Sequence, residues 1–227
     1  MNFLSHYYFT QDEPNPYYTL GSLLPDLFRN HRANWKFNPE KQPELFAGDD
    51  DLEHLLRGWS LHLEVDHLFH DAALFKQESS ILRKDLVRVF QQLPKRPFFL
   101  AHIGYELLLD SLLIRHRLVD THKFYATLSA CQTEVIERFL NKLGMYHNER
   151  FYNFLDDFIS SRYLESYAKT ESISYALDRI GRRVWIEPFS EEETRQTVLV
   201  LQENLKRLEA DFFDIFDELL LKLKDLP

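Results

Sequence analysis

The sequence predicts an all-α protein, a single-domain helical bundle closed by a long C-terminal helix. Three observations carry that expectation. Glycine is scarce, with 6 in 227 residues, while Leu, Glu and Lys are abundant, a balance that favours helix over strand and tight turn. Apolar residues recur at helical spacing in one segment after another, and no run reads as a hairpin. Hydrophobic residues make up 44% of the chain, enough to bury a sizeable core.

The elements follow in order. Residues 3–9 are an apolar, aromatic start around His6, and a turn follows at Asp12-Glu13-Pro14-Asn15-Pro16. Tyr17 to Arg29 reads as a helix interrupted or ended near Pro25, because an interior proline loses a donor and crowds the preceding turn. A polar, Pro-containing loop runs from about Asn30 to Pro43. From about Asp50 to Phe75, Leu52, Leu55, Leu56, Trp59, Leu63 and Leu68 keep helical spacing, with Asp49, Asp50 and Asp51 where a cap and first turn favour acids. Ser79 to Gln92 forms a second helix. Pro94 and Pro97 break the chain before a third, from Phe98 to about His116. Further helices are expected at about 120–143, 148–160, 161–168 and 171–184.

The last segment, Glu191 to about Lys224, carries Val198, Leu201, Leu205, Leu208, Phe212, Ile215, Leu219 and Leu223 near the helical period. Ser190 and Glu193 form a capping box at its start. Residues 1–186 are expected to form the functional helical domain. Residues 187–227 would add an amphipathic helix packed on that domain or on a dimer partner.

A net charge of −9 argues against a nucleic-acid coat or an anionic membrane surface as the main partner, and leaves room for a local basic pocket. One cysteine, Cys131, rules out an intrachain disulfide and fits a reducing compartment. Neither a signal peptide nor a bilayer-length apolar stretch is read, so the cytoplasm is the expected location.

The chemistry lies in two rows of side chains. His62, Asp66 and His70 fall at i, i+4 and i+8, nearly in line on one helix face. His102, Glu106 and Asp110 repeat the spacing on the helix after Pro97. Facing rows of this kind build metal sites in helical bundles, and imidazole with carboxylate suits zinc, manganese or iron. A single such row is more often a surface pair, but His62 lies between Leu61 and Leu63, and Asp110 follows Leu107-Leu108-Leu109. A carboxylate inside so apolar a run needs a partner. Asp26, after Leu23-Leu24-Pro25, reads equally well as a turn or cap, and His6 as a core histidine. Arg182 and Arg183 are candidates for gripping a phosphate. No Gly-rich phosphate loop, Gly-x-Ser-x-Gly elbow or Cys-x-x-Cys pair is present.

The motifs resemble, in order, those of the acyl carrier protein phosphodiesterase family. Met1-Asn2-Phe3-Leu4-Ser5-His6 is similar to that family's opening, and Gly21-Ser22-Leu23-Leu24-Pro25-Asp26 to its Gly-Asn-Leu-Leu-x-Asp element. Gly58, Leu61, His62 and Asp66 match its Gly-Ile-x-Leu-His-Arg-x-Ile-Asp segment. Glu106, Asp110, Leu113, Arg115 and His116 fall in step with its Asp-x-x-x-Asp-His-Phe-Leu-x-Arg-His stretch. Tyr163 to Tyr167 and Ala176 to Arg183 resemble its two late elements, so the likeness runs from about residue 1 to 184.

The resemblance implies a helical fold distantly related to the HD phosphohydrolases, and removal of the 4'-phosphopantetheine arm from holo acyl carrier protein with a divalent metal, typically manganese. It implies His6, Asp26, His62, Asp66 and Asp110 as metal-site residues, to which the helical spacing adds Glu106. His70, His102 or His116 is then the expected general acid, with Arg115, Arg182 or Arg183 on the phosphate. The chain departs from the pattern in four places. Leu63 stands where the family has Arg, and Ser111-Leu112 where it has His-Phe. His70 replaces an acid, and His102 has no counterpart. The added histidines are similar to those of zinc-dependent phospholipase C and related nucleases. Such an enzyme, a nucleotide phosphohydrolase and an inactive helical binding protein are the alternatives.

Overall fold

The computed structural model describes residues 1–31, 37–90 and 95–224. It is all-α, and among the described residues there is no strand. Two compact units share the chain: Phe3–Asp66 with Val119–Leu164, and Met1–Asn2 with His67–Leu118 and Glu165–Pro227. Pro94, expected as a helix breaker, lies outside the described residues, as does part of the loop expected after Asn30.

The unit that begins at Phe3 holds α1 (Phe3–Tyr8), α2 (Pro16–His31) and all but the last turn of α3 (Asp50–Asp71). It also holds α6 (Thr121–Ser129), α7 (Thr133–Lys142) and α8 (Glu149–Ser161), and α2 packs on α1, α6 and α8. At the start of α2 the Asn15 side chain accepts from the Tyr17 N–H at 2.9 Å, and Pro16 fills the first position, where its missing donor costs nothing. The helix then runs through Pro25 to His31 instead of stopping there. Losing that interior donor costs about 3 kcal/mol. Leu23, Leu24, Leu27 and Phe28 are all buried along it, and burial contributes roughly 1.5–3 kcal/mol for each side chain, so packing wins.

Helices α2 and α3 meet at two glycines. A Cβ on Gly21 would overlap the Leu55 carbonyl, whose carbon would be 2.9 Å away, and a Cβ on Gly58 would sit 2.8 Å from the Ser22 nitrogen. The buried stripe of α3 passes through Leu52, Leu55, Trp59, His62, Val65 and Phe69, while Leu63, expected in the stripe, is exposed. Reading apolar residues alone shifts the face by one position, because His62 is part of the interior. Asp49 caps this helix, its carbonyl accepting from the Glu53 N–H at 2.9 Å.

The other unit is built from α4 (Ala73–Val89), α5 (Pro97–Arg115), α9 (Thr170–Gly181), α10 (Glu191–Leu208) and α11 (Phe213–Lys224). Helix α5 packs on α4, α9 and α10. The break between α3 and α4 comes at Ala72, earlier than the spacing predicts, where an extended backbone with ψ 136° ends the helix. The stretch read as one helix at 120–143 is α6 and α7, divided at Ala130–Gln132, and 161–168 is a 3-10 turn at Tyr163–Ala168.

The segment read as one long C-terminal helix is also two. The Asp211 and Phe212 N–H groups both return to the Leu208 carbonyl, at 3.2 and 2.8 Å, and the turn lets Phe212, Ile215 and Phe216 all be buried. The capping box at Ser190 and Glu193 is present.

Contrary to the expectation, one described helix, α5, is long and apolar enough to cross a membrane by length and composition. Its buried Leu100, Leu107, Leu108, Leu109 and Leu112, and its packing on three neighbours, are those of a core helix. It also carries His102, Glu106 and Asp110.

Replacing Gly58 by Ala should be far costlier than replacing Gly104. At Gly58 the new methyl meets backbone atoms, which cannot turn aside, whereas at Gly104 it meets a flexible Leu82 methyl at 3.1 Å. We expect Gly58→Ala to lose about 3 kcal/mol or more in urea unfolding, the upper end of overpacking costs. Gly104→Ala should stay within about 1 kcal/mol, helped by the better helix propensity of Ala. Equal stabilities would contradict the glycine contact.

Candidate metal centre

The contact at Gly21 and Gly58 brings the Ser22 carbonyl to the ring of His62, whose Nδ1 lies 2.7 Å from it. A carbonyl only accepts, so Nδ1 carries a proton towards Ser22, which turns Nε2 towards the group; in a neutral ring that nitrogen holds the lone pair. That is how a backbone group orients a metal-binding imidazole. His6, from α1, stacks on His62 with ring centroids 4.0 Å apart and planes at 17°. Asp66, one turn along α3, places its carboxylate between them: His6 Nε2 is 3.3 Å from Oδ1 and His62 Nε2 is 3.6 Å from Oδ2.

Both imidazoles are buried, and neither Nε2 completes a hydrogen bond. An unsatisfied buried polar atom costs roughly 1–3 kcal/mol, so two of them facing one carboxylate form an expensive arrangement unless a cation satisfies all three. Two imidazole nitrogens and one carboxylate oxygen, all within 4.8 Å of one another, form a donor set that fits a divalent first-row metal.

Electrostatics keep these groups in ligand form. Burial, helped by the neighbouring His62, pushes the His6 imidazole down to about 3 against a weaker opposing pull from Asp66, so His6 is neutral at pH 7. Burial alone would raise the Asp66 carboxyl, but the His6 contact, reinforced by His62, holds it below the usual carboxylate range. Asp26 feels the His62 ring, yet its oxygens stand outside the group. Burial pushes its carboxyl up, and the exposed Arg29 guanidinium lies 3.3 Å from it. Arg29 escaped the sequence reading because nothing about a lone arginine at a helix end distinguishes it.

The other unit gathers His70, His102 and Glu106. His102 Nε2 is 3.2 Å and His70 Nε2 3.6 Å from Glu106 Oε1. Burial would raise the Glu106 carboxyl, but the Met1 amine, 3.6 Å from the same oxygen, and the two imidazoles hold it below the usual range. Asp110 is fully buried and accepts from the Asn2 amide at 2.7 Å, outside either group. His116 pairs with Glu209 at 3.3 Å, Arg182 pairs with Asp178, and Arg115 and Arg183 are exposed. A surface cleft lined by Phe46, Asp49, Leu52, Arg138 and Lys142 contains none of these residues.

A family model described as acyl carrier protein phosphodiesterase matches residues 1–219. The match extends past residue 184, where the motif resemblance ends, through α10 and into α11. No curated protein and no solved structure matches the chain.

The depressed His6 couples stability of the metal-free protein to pH. Its folded value of about 3 lies below its ordinary 6.5, so between the two the unfolded chain binds more protons. The resulting contribution is fully present above pH 6.5 and is lost as pH falls towards 3. In urea unfolding from pH 7 to 4, the wild-type free energy should fall more steeply than that of His6→Gln, by up to about 1 kcal/mol per pH unit. Parallel slopes would show that His6 titrates normally.

Proposed function

The chain belongs to the acyl carrier protein phosphodiesterase family, and from that premise we propose that it is a divalent-metal-dependent phosphodiesterase that releases the 4'-phosphopantetheine arm from holo acyl carrier protein. The observation that carries the metal dependence is the group of His6, His62 and Asp66, in which two buried imidazoles aim their Nε2 atoms at one half-buried carboxylate. These three residues would hold the cation, manganese or zinc. A bound divalent cation supplies Lewis acidity towards phosphoryl oxygens and lowers the pKa of water.

The protein's own groups do the rest. His6 offers a neutral nitrogen, and the hydrogen bond from His62 Nδ1 to the Ser22 carbonyl turns the His62 Nε2 towards the cation. Asp66, half-buried and held below the usual carboxylate range, stays ionised and balances positive charge. Asp26, whose carboxyl is pushed upward by burial, is the group that holds or releases a proton beside His62. Arg29, exposed next to Asp26, binds a phosphoryl oxygen of the substrate.

Leu63 stands exposed where the resemblance has Arg, so positive charge for an acidic carrier protein comes from elsewhere. Arg115, Arg182 and Arg183, all exposed, offer it. Because the donor set would serve other phosphodiesters, a generic substrate tests the site and the carrier protein tests the specificity.

We expect the metal-loaded chain to hydrolyse bis-p-nitrophenyl phosphate and to convert holo to apo acyl carrier protein, read by mass. A chelator should abolish both reactions, and manganese or zinc should restore them. Asp66→Ala should lower kcat/KM by more than the roughly 10–100-fold typical of losing a group one shell out from a metal, with helix content kept. Arg29→Ala should raise KM and leave kcat nearly unchanged. Hydrolysis that survives chelation, or an Asp66→Ala enzyme of full activity, contradicts the reading. Activity on the generic diester alone removes the carrier protein as substrate.

A further inference from the structure

The His70, His102 and Glu106 group is separate in its residues from the proposed catalytic triad. Its rings are stacked, with centroids 5.0 Å apart and planes at 23°, and the two Nε2 atoms face each other at 3.2 Å. Two imidazoles in that pose can place only one proton between them, since two protons would repel and two lone pairs would repel. Both nitrogens also converge on Glu106 Oε1. A cation accommodates all three donors at once.

The arrangement is held from behind. Phe75, itself buried, sets its ring edge-on to His70 at 84° and to His102 at 81°, each at 5.1 Å. Phe69 supports the outer face of Phe75 at 4.6 Å and touches His70 at 5.3 Å. An aromatic wall of this kind fixes ring orientation, as a preformed ligand site requires. Solvent reaches the donors: the side chains of His70 and His102 are 37% and 35% exposed, and that of Glu106 is 13% exposed.

We infer that His70, His102 and Glu106 form a second divalent-cation site that takes zinc or a similar late first-row metal. Two imidazoles and one carboxylate leave a fourth tetrahedral position open, and that donor set suits zinc better than magnesium or calcium. The Met1 amino nitrogen, 3.6 Å from Glu106 Oε1, is the monovalent partner that a divalent ion displaces from that oxygen. Exposure makes this ion exchangeable. A ring nitrogen that ligates a cation does not carry a proton to a leaving group, so this role replaces the general-acid role expected for His70 and His102.

The inference does not rest on the proposed catalytic reading, and one titration separates them. The full chain, stripped of metal by chelation and dialysis, is titrated with zinc, and with cobalt as a coloured reporter, and bound metal is measured by elemental analysis. The wild type should bind about two equivalents. His70→Ala/His102→Ala should bind about one, and so should His6→Ala/Asp66→Ala. Glu106→Gln, which keeps the shape, should weaken one of the two equivalents even if the double alanine variant loses helix content. A wild type that binds a single equivalent, retained in His70→Ala/His102→Ala and in Glu106→Gln, overturns the second site and leaves the triad standing. A single equivalent lost in those variants but kept in His6→Ala/Asp66→Ala supports the second site and overturns the triad.

Discussion

Helices α2 and α3 touch backbone to backbone because Gly21 and Gly58 carry no side chain, and the orientation of His62 follows from that contact. Ser22 is the residue after Gly21, and His62 lies one turn beyond Gly58. With the helices this close, the Ser22 carbonyl reaches the His62 ring at 2.7 Å and fixes its tautomer. A methyl at either glycine would press the backbones apart and loosen that hydrogen bond. The same contact sets what stands one turn further along each helix: Asp26 on α2 and Asp66 on α3. Only backbone geometry is needed to aim the His62 ring at the half-buried Asp66 carboxylate.

Burial then decides the protonation of the group. In water His6 would titrate near neutrality. Inside, desolvation drives it down, and the Asp66 carboxyl is held below its usual range against the same desolvation, first by its contact with His6. The result is two imidazole nitrogens gathered on one carboxylate oxygen. That set is unfavourable by itself and favourable around a divalent cation. The His70, His102 and Glu106 group has the same donor chemistry but a different medium, with both rings more than a third exposed. If each group binds an ion, the more exposed one is expected to exchange it more readily.

Much of this was legible in the sequence, and the gaps have physical causes. Helical spacing gave the helix class, the caps at Asp49 and Ser190, and the in-line order of His62, Asp66 and His70. It misjudged ends. Pro25 did not stop α2, because buried leucines on either side outweigh one lost hydrogen bond. The turn after Leu208 left no polar punctuation, since Phe212 is buried in it. Apolar spacing alone puts Leu63 on the inner face, whereas the polar His62 occupies that interior position and Leu63 is exposed. Grouping was harder still. Spacing placed Glu106 in a row with Asp110, but Glu106 shares its group with His70 and His102, whereas Asp110 accepts from Asn2. Spacing along a helix fixes which side chains share a face, while which faces pair depends on the fold.

The proposed function depends on His6, His62 and Asp66 binding one divalent ion between them. The most direct test is a crystal of the full chain loaded with zinc or manganese, with diffraction measured on both sides of the metal absorption edge. An anomalous peak is expected about 2.0–2.2 Å from both Nε2 atoms and from an Asp66 oxygen. Metal-loaded crystals with no peak between those three residues would contradict that binding.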